Sequence, residues 1–374
     1  MKPFTGGVCF AFAASVLGSI GCGATPSDEA VAQATSALTI GSWNDLVNNL
    51  GTTGNYTLTT DINASGKTWT PKSFSGTFDG GNHTISGLSI SMGGLFSSLD
   101  NATVKNLKLT GMTITGSANK ATFGGLAATA TDSNIQNCAV EVNINMTAAA
   151  AGGIVGAMYG GSIYRSYAKG SVVGNMPNAG GLVGYASVGS ARLTITESYA
   201  QMTVNPDTSN TGSFIRAGGL VGYGYGLDIH DAYVVGDVTG RGAAGGMIGQ
   251  VDCDEGDVFL LYKTIYRGNV VDKNASNGWA GAIGTYSPCT QRFLQNFYDS
   301  QLDPSAGHAA SGVTGYSTNQ LRSPTSVIGG VFCEPDVIPG RCGDNTWASP
   351  PWTAGSNAQH HVLLNMPGPN TQLR

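Results

Sequence analysis

The stretch AGGLVGYASVG, residues 179–189, returns almost unchanged as AGGLVGYGYG at residues 217–226. How this run is read decides the fold. A phosphate-cradling loop would stand once, between a strand and a helix, with Lys and then Ser or Thr after its last glycine. A helix-dimer motif would need about 20 surrounding apolar residues. Ser187, Ser190 and Arg192 interrupt any such span. The run recurs instead. It stands as GGLF at 93, GGLA at 124, GGIVG at 152, GGLVG at 180 and 218, GGMIG at 245 and GAIG at 281.

A second pattern keeps the same beat. ITESYAQMTV at 195 has relatives in VKNLKLTGMT at 104, IQNCAVEVNI at 135, IYRSYAKGSV at 163, IHDAYVVGDV at 229 and LYKTIYRGNV at 261. A truncated copy, LQNFYDS, starts at 294. The apolar anchors Val104, Ile135, Ile163, Ile195, Ile229, Leu261 and Leu294 are 31, 28, 32, 34, 32 and 33 residues apart. That period is too short for propeller blades of about 40–45 residues. Within a unit, apolar and polar residues alternate, as in Ala139, Val140, Val142 and Ile144, which is strand periodicity. Two or three short strands per unit, stacked in register, make one coil of a β-solenoid whose apolar ladders form a continuous core.

Composition agrees with an all-β chain. Charged residues make up 11%, against about 25% in ordinary globular proteins, while 41% apolar residues supply a core. The net charge is −5, with no basic cluster and no aromatic–basic interleaving, so nucleic acid is not an expected partner.

Both ends of a solenoid need cover. In SWNDLVNNL, residues 42–50, Trp43, Leu46, Val47 and Leu50 share a helical face, with Ser42 as N-cap and Asp45 three residues on. After residue 300 the repeat fades into Pro- and Gly-rich sequence with Trp347 and Trp352, a closing segment. At the other end, Lys2 precedes the apolar run VCFAFAASVLGSIG, which is too short to span a membrane and reads as an export signal. It ends in SIGC, residues 19–22, which resembles a bacterial lipobox, although Ser19 stands where Leu is usual. Cys22 is then the lipid anchor on a membrane surface, with ordinary cleavage near Ala24 as the alternative. The expected division is a signal over 1–21, a tether over 22–40, the β-helix over 41–300 and a cap over 301–374.

The glycine repeats resemble the GLUG motif, most closely at Gly181–Gly184 and Gly219–Gly222. FSGTFDGGNHTISGL, residues 74–88, resembles the strand that precedes such repeats in bacterial surface proteins, and TGYSTNQLRSP, residues 314–324, the segment that follows them. The resemblance implies a right-handed parallel β-helix on a secreted or surface protein, often adhesin-like, and says little about activity. Some GLUG-bearing proteins are IgA-specific metallopeptidases with His-Glu-x-x-His. None of His83, His230, His308, His360 and His361 is followed by Glu, so the resemblance does not carry that activity here.

No other catalytic set stands out. A β-helix polysaccharide lyase or hydrolase would cluster carboxylates on adjacent coils, often with calcium. The densest acidic stretch is DCDEGD, with Asp252, Asp254, Glu255 and Asp257, a candidate calcium site or a solvated turn. Asp228, His230 and Asp231, beside Arg241, form a second polar group, and Asp79 and His83 read as a turn. There is no Gly-x-Ser-x-Gly elbow. Cys138 holds the slot of Ser166 and Ser198 and reads as a small core residue. After export, five cysteines remain, an odd number: Cys138, Cys253, Cys289, Cys333 and Cys342. Cys333 and Cys342 flank one loop. Cys253 and Cys289 follow successive glycine motifs, and equivalent positions in adjacent coils lie about 5 Å apart, within disulfide range.

Tyr167, Tyr199 and Tyr233, four residues after their anchors, with Tyr298 later, form a ladder. On a wet outer face it would bind glycans; otherwise it stabilises the stack. The expectation is a non-enzymatic exported lipoprotein presenting a β-solenoid for adhesion or glycan recognition, with a carbohydrate-active enzyme as the alternative. Three or more carboxylates converging in a groove would favour the enzyme. A smooth face of Ser, Thr and Asn would favour the binding module. No cofactor is required, and the oligomeric state is left open.

Overall fold

The computed structural model describes residues 37–206, 214–254, 258–274, 280–286, 290–301 and 313–316, with a short antiparallel strand pair at 352–353 and 362–363. The described chain is a right-handed parallel β-helix with one helix among its described residues. The coils have three or four short strands each. Asn178–Gly180, Val183–Ser187, Leu193–Thr196 and Tyr199–Pro206 make one coil. They pair, in parallel, with Ala150–Gly152, Val155–Tyr159, Ser162–Tyr164 and Tyr167–Asn175 of the coil before.

The anchors stack as read. Val104, Ile135, Ile163, Ile195, Ile229 and Leu261 are register partners in turn and fully buried. The last step differs, because Leu261 pairs with Phe293 and Leu294 pairs with Tyr262. GAIG is one residue shorter than GGMIG, and the pairing of those strands slips between Gly245 and Ile248. Tyr298 faces Tyr266, while Tyr233 pairs with Ile265, so Tyr298 is no rung of the tyrosine ladder.

Two residues after each anchor the chain turns in the left-handed region. Asn106, Asn137, Arg165, Glu197, Asp231 and Lys263 have φ between 47° and 53°. Such a φ is uncommon without glycine. Contacts from coil to coil hold it: Asn137 Nδ2 donates to Asn106 Oδ1 at 3.2 Å, and Arg165 pairs with Glu197.

The paired glycines do something else. Gly180 and Gly181 are not at positive φ. A Cβ on Gly181 would collide with the Gly219 carbonyl oxygen and the Ala200 methyl, and one on Gly180 with the Val183 carbonyl. The motif is a corner where successive coils approach too closely for a side chain. Leu182 and Val183 then enter the core, both fully buried.

The helix Trp43–Asn49 covers the first coil. Ser42 Oγ accepts from Asp45 N at 3.1 Å, and Asp45 Oδ2 accepts from Gly41 N at 3.1 Å. Leu46 and Leu50 are buried, and Trp43 and Val47 pack partly against the core. At the other end of the helix Lys72 Nζ donates to the Val47 and Leu50 carbonyls, both at 2.7 Å, a cation against the negative helix end. The fold overruns both expected boundaries. Leu38–Ile40, within the expected tether, pairs with Tyr56–Leu58, and Ile40 is fully buried. Val313–Tyr316, within the expected cap, extends the solenoid by pairing with Asn296–Asp299.

Candidate functional site

The predicted ladder forms, but under cover. Tyr167 and Tyr199 stack at 4.7 Å between ring centroids and 14° between planes, and Tyr199 and Tyr233 at 4.6 Å and 7°. Their exposures are 4%, 1% and 1%, so of the two readings of the ladder they take the stack-stabilising one and not the open glycan-binding face. The core takes the intervening Ala168, Ala200 and Val234. The tyrosines are buried outside it, each ring covering the next, with the Lys169 ammonium 5.2 Å from the Tyr167 centroid. Burial, with a smaller push from Glu141, raises the Tyr167 phenol to about 12. Tyr199 and Tyr233 are raised further, burial again being the first cause.

A second stack lies inside the repeat motif itself. Along Val183–Ser187 and Val221–Tyr225, Gly184, Ala186, Gly222 and Gly224 are buried, while Tyr185, Ser187, Tyr223 and Tyr225 are half-exposed. A Cβ on Gly184 or Gly222 would meet the backbone of Ala151 or Ala179, so that side has no room. The tyrosines take the other. Tyr185 and Tyr223 are register partners, stacked at 5.0 Å and 15°. Tyr159, 37% exposed, continues the row at 6.1 Å from Tyr185 with its ring tilted by 53°.

One end of this row is polar. Tyr223 donates its hydroxyl to Asp252 Oδ2 at 2.8 Å, and Gln250 Nε2 donates to both Asp252 oxygens, at 3.0 and 3.1 Å. Arg216 Nε donates to Gln250 Oε1 at 2.5 Å. The Arg216 guanidinium packs against two rings, 4.9 Å from the Phe214 centroid and 5.2 Å from that of Tyr223. Burial, and then the bond to Asp252, push the Tyr223 phenol well above its ordinary value. The arrangement offers ring edges, hydroxyls, one tilted open ring and a fixed cation. Those groups suit a ligand with apolar faces and hydroxylated edges.

Other predicted sites fare differently. Asp252 has its oxygens engaged by Tyr223 and Gln250, and Asp254 is exposed. Glu255 and Asp257 lie outside the described residues. Among the described residues no three His, Cys, Asp or Glu side chains group as a metal site. His230 Nδ1 is 2.8 Å from Asp231 Oδ2, and its ring stacks on Tyr262 at 4.5 Å. Burial raises the Asp228 carboxyl, and the charges opposing that rise are His230 and Arg192 rather than Arg241. Asp228 and Asp231 are the carboxylates beside this histidine among the described residues. The depression at residues 117–121 carries Lys120 and no carboxylate.

Asp79 and His83 are turn residues. Asp79 Oδ1 accepts from Gly81 N and Asn106 Nδ2, both at 3.0 Å, and His83 sits 3.2 Å from Asp61. Cys138 is fully buried, with its thiol pushed to about 12 by burial, and its N–H donates to Ser166 Oγ at 3.0 Å. Cys253 is bonded through its sulfur. Cys289, Cys333 and Cys342 lie outside the described residues, so neither expected pairing is shown. The export signal and Cys22 also lie outside them. No described helix is long and apolar enough to cross a membrane.

A broader face is smooth. Thr68, Ser89, Thr113, Asn143, Ser171 and Thr203 are register partners in turn, one per coil. Beside them run Thr115, Asn145, Val173 and Asn205. The described rungs of both columns carry no charge.

Residues 34–142 match the family model described as the M26 IgA1-specific metallo-endopeptidase N-terminal region. The match spans less than a third of the 374 residues. Among solved structures, a Bacteroides ovatus chain described as a candidate immunoglobulin A1 protease is similar at 17% identity with a TM-score of 0.38, over 65% of this chain and 86% of that one. No curated protein matches the sequence.

Proposed function

We propose that this chain is an exported, non-enzymatic β-solenoid that recognises a glycan surface through the Tyr159–Tyr185–Tyr223 face. The observation that carries the reading is the half-exposed tyrosine row ending in Arg216, Gln250 and Asp252. Ring carbons take the apolar face of a sugar, and hydroxyl, amide and guanidinium groups bond its edges. The uncharged Ser/Thr/Asn columns support an adhesive role over a catalytic one. Lys2, the apolar run after it and Cys22 support export and a lipid anchor. The mass of the mature N-terminal peptide tests that part.

A glycan array probed with wild type, Tyr185→Ser and Tyr223→Ser, with and without calcium, tests the binding. The expected result is retained fold, lost binding in both variants and no depolymerised product. Unchanged binding in both folded variants would overturn the reading.

A peptidase is the second reading, favoured by the family matched at residues 34–142. Against it, no histidine in the sequence begins His-Glu-x-x-His. Incubation with immunoglobulin A1 is expected to leave it intact, and discrete fragments would reverse the preference.

A further inference from the structure

We infer that the tyrosine face selects glycans that carry carboxylates, with Arg216 as the carboxylate receptor. This rests on the glycan reading above and goes further, because it names the chemical class of sugar.

The argument begins with how Arg216 is held. Phe214, 46% exposed, and Tyr223 both pack against the guanidinium, at 4.9 and 5.2 Å from their ring centroids. Contact with two rings restricts the swing of a long side chain and strips water from its faces. Gln250 Oε1 accepts from Nε, which fixes the rotation about the remaining axis. The two terminal nitrogens have no hydrogen bond or ion pair among the described residues. They form the edge of the guanidinium that matches a carboxylate with two parallel bonds.

Asp252 accepts from the Tyr223 hydroxyl and the Gln250 amide, both neutral donors. Gln250 stands between cation and anion, accepting from one and donating to the other. The chain thus holds an arginine in place with neutral groups and leaves its fork unpaired. Asp252 opposes an incoming anion, but its charge is dispersed into the Tyr223 and Gln250 donors. The Tyr185 ring, stacked on Tyr223, continues the row away from the arginine. A sugar ring along that row would bring a carboxylate substituent to Arg216.

Binding of the purified protein to polygalacturonate and to a sialylated oligosaccharide, each beside its methyl ester, tests this, with polyglutamate as an acidic polymer lacking sugar. The proteins are wild type, Arg216→Gln, Arg216→Lys and Tyr185→Ser, each checked for native circular dichroism. Wild type should bind at least one acid about tenfold tighter than its ester, as a lost charged hydrogen-bond pair implies. Arg216→Gln should erase that preference, bringing acid and ester to the same affinity, and Arg216→Lys should keep part of it. Equal binding of acid and ester, lowered by Tyr185→Ser, would overturn the carboxylate inference and leave the glycan reading standing. Polyglutamate bound as tightly as the acidic glycans would overturn it as mere charge capture. Binding to no glycan of either pair would overturn both.

Discussion

Tyr167, Tyr199 and Tyr233 on one face, and Tyr185 and Tyr223 on another, stack at similar spacing, 4.6–4.7 Å against 5.0 Å. Both spacings follow from the coil rise, since any aromatic repeated at one register position must meet its copy in the next coil. What differs is the cover. The first stack is 1–4% exposed and its hydroxyls are withdrawn from water; the second is half-exposed, with its polar end built from Arg216, Gln250 and Asp252. Stacking thus reports only that a coil repeats, and a site requires that the repeat be left open and given polar company.

The largest effect that tests this contrast is on stability. Tyr199→Ala removes a ring from between two others and should cost about 3–5 kcal/mol, as for other large buried aromatics. Tyr185→Ala should cost about 1 kcal/mol or less, because much of its ring is already wet. Equilibrium denaturation in urea measures both. Equal losses would break the division into a structural stack and a functional one.

Next in size is the alkaline limb of stability. The buried phenols have raised folded values against an ordinary 10, so the folded state holds their protons more tightly. Their contribution is intact below pH 10 and is lost as pH rises through the folded values, about 12 for Tyr167. Between pH 10 and 12 stability should fall by about 1.4 kcal/mol per pH unit for each fully buried phenol, and by less for Tyr167 at the end of the stack. Tyr199→Phe should remove one such increment. A denaturation midpoint flat to pH 12 would show that these phenols are not buried as described.

Much of this was legible in the chain. The two interleaved patterns set the coil, and the six anchors from Val104 to Leu261 fall on one ladder because each coil must present an apolar residue there. The end of the series was not legible: a pattern of apolar residues cannot say whether Phe293 or Leu294 takes the place beside Leu261. Alternation placed Tyr167 and Lys169 on a common face but could not show that the rings and Lys169 would cover one another. The usable signal for the open row was the residue type beside each tyrosine. In Gly184-Tyr185-Ala186 and Gly222-Tyr223-Gly224 the inward places hold the smallest residues, so the tyrosine has only one way to go. Arg216 and Gln250 were out of reach, because they come from different coils and meet only once the register is known.

The finest test separates the ring from its hydroxyl. Tyr223→Phe keeps the stack on Tyr185 and the flank of Arg216, and deletes only the donor to Asp252. A single hydrogen bond of this kind is worth about 0.5–1.5 kcal/mol, more toward the upper end when the acceptor is charged. Asp252 would keep the Gln250 amide, and its half-exposed carboxylate would regain water, so the net loss in stability should fall near the lower figure. The consequence for binding should exceed that for folding. With one neutral donor gone, the Asp252 charge is less dispersed, and an incoming carboxylate meets more repulsion beside Arg216. The acid-over-ester preference should therefore narrow by a few fold while ester binding holds, read by titration of both ligands against the same protein. Loss of both together would mean that the hydroxyl contacts sugar directly, and the row would then recognise glycans by its edges as much as by its charge.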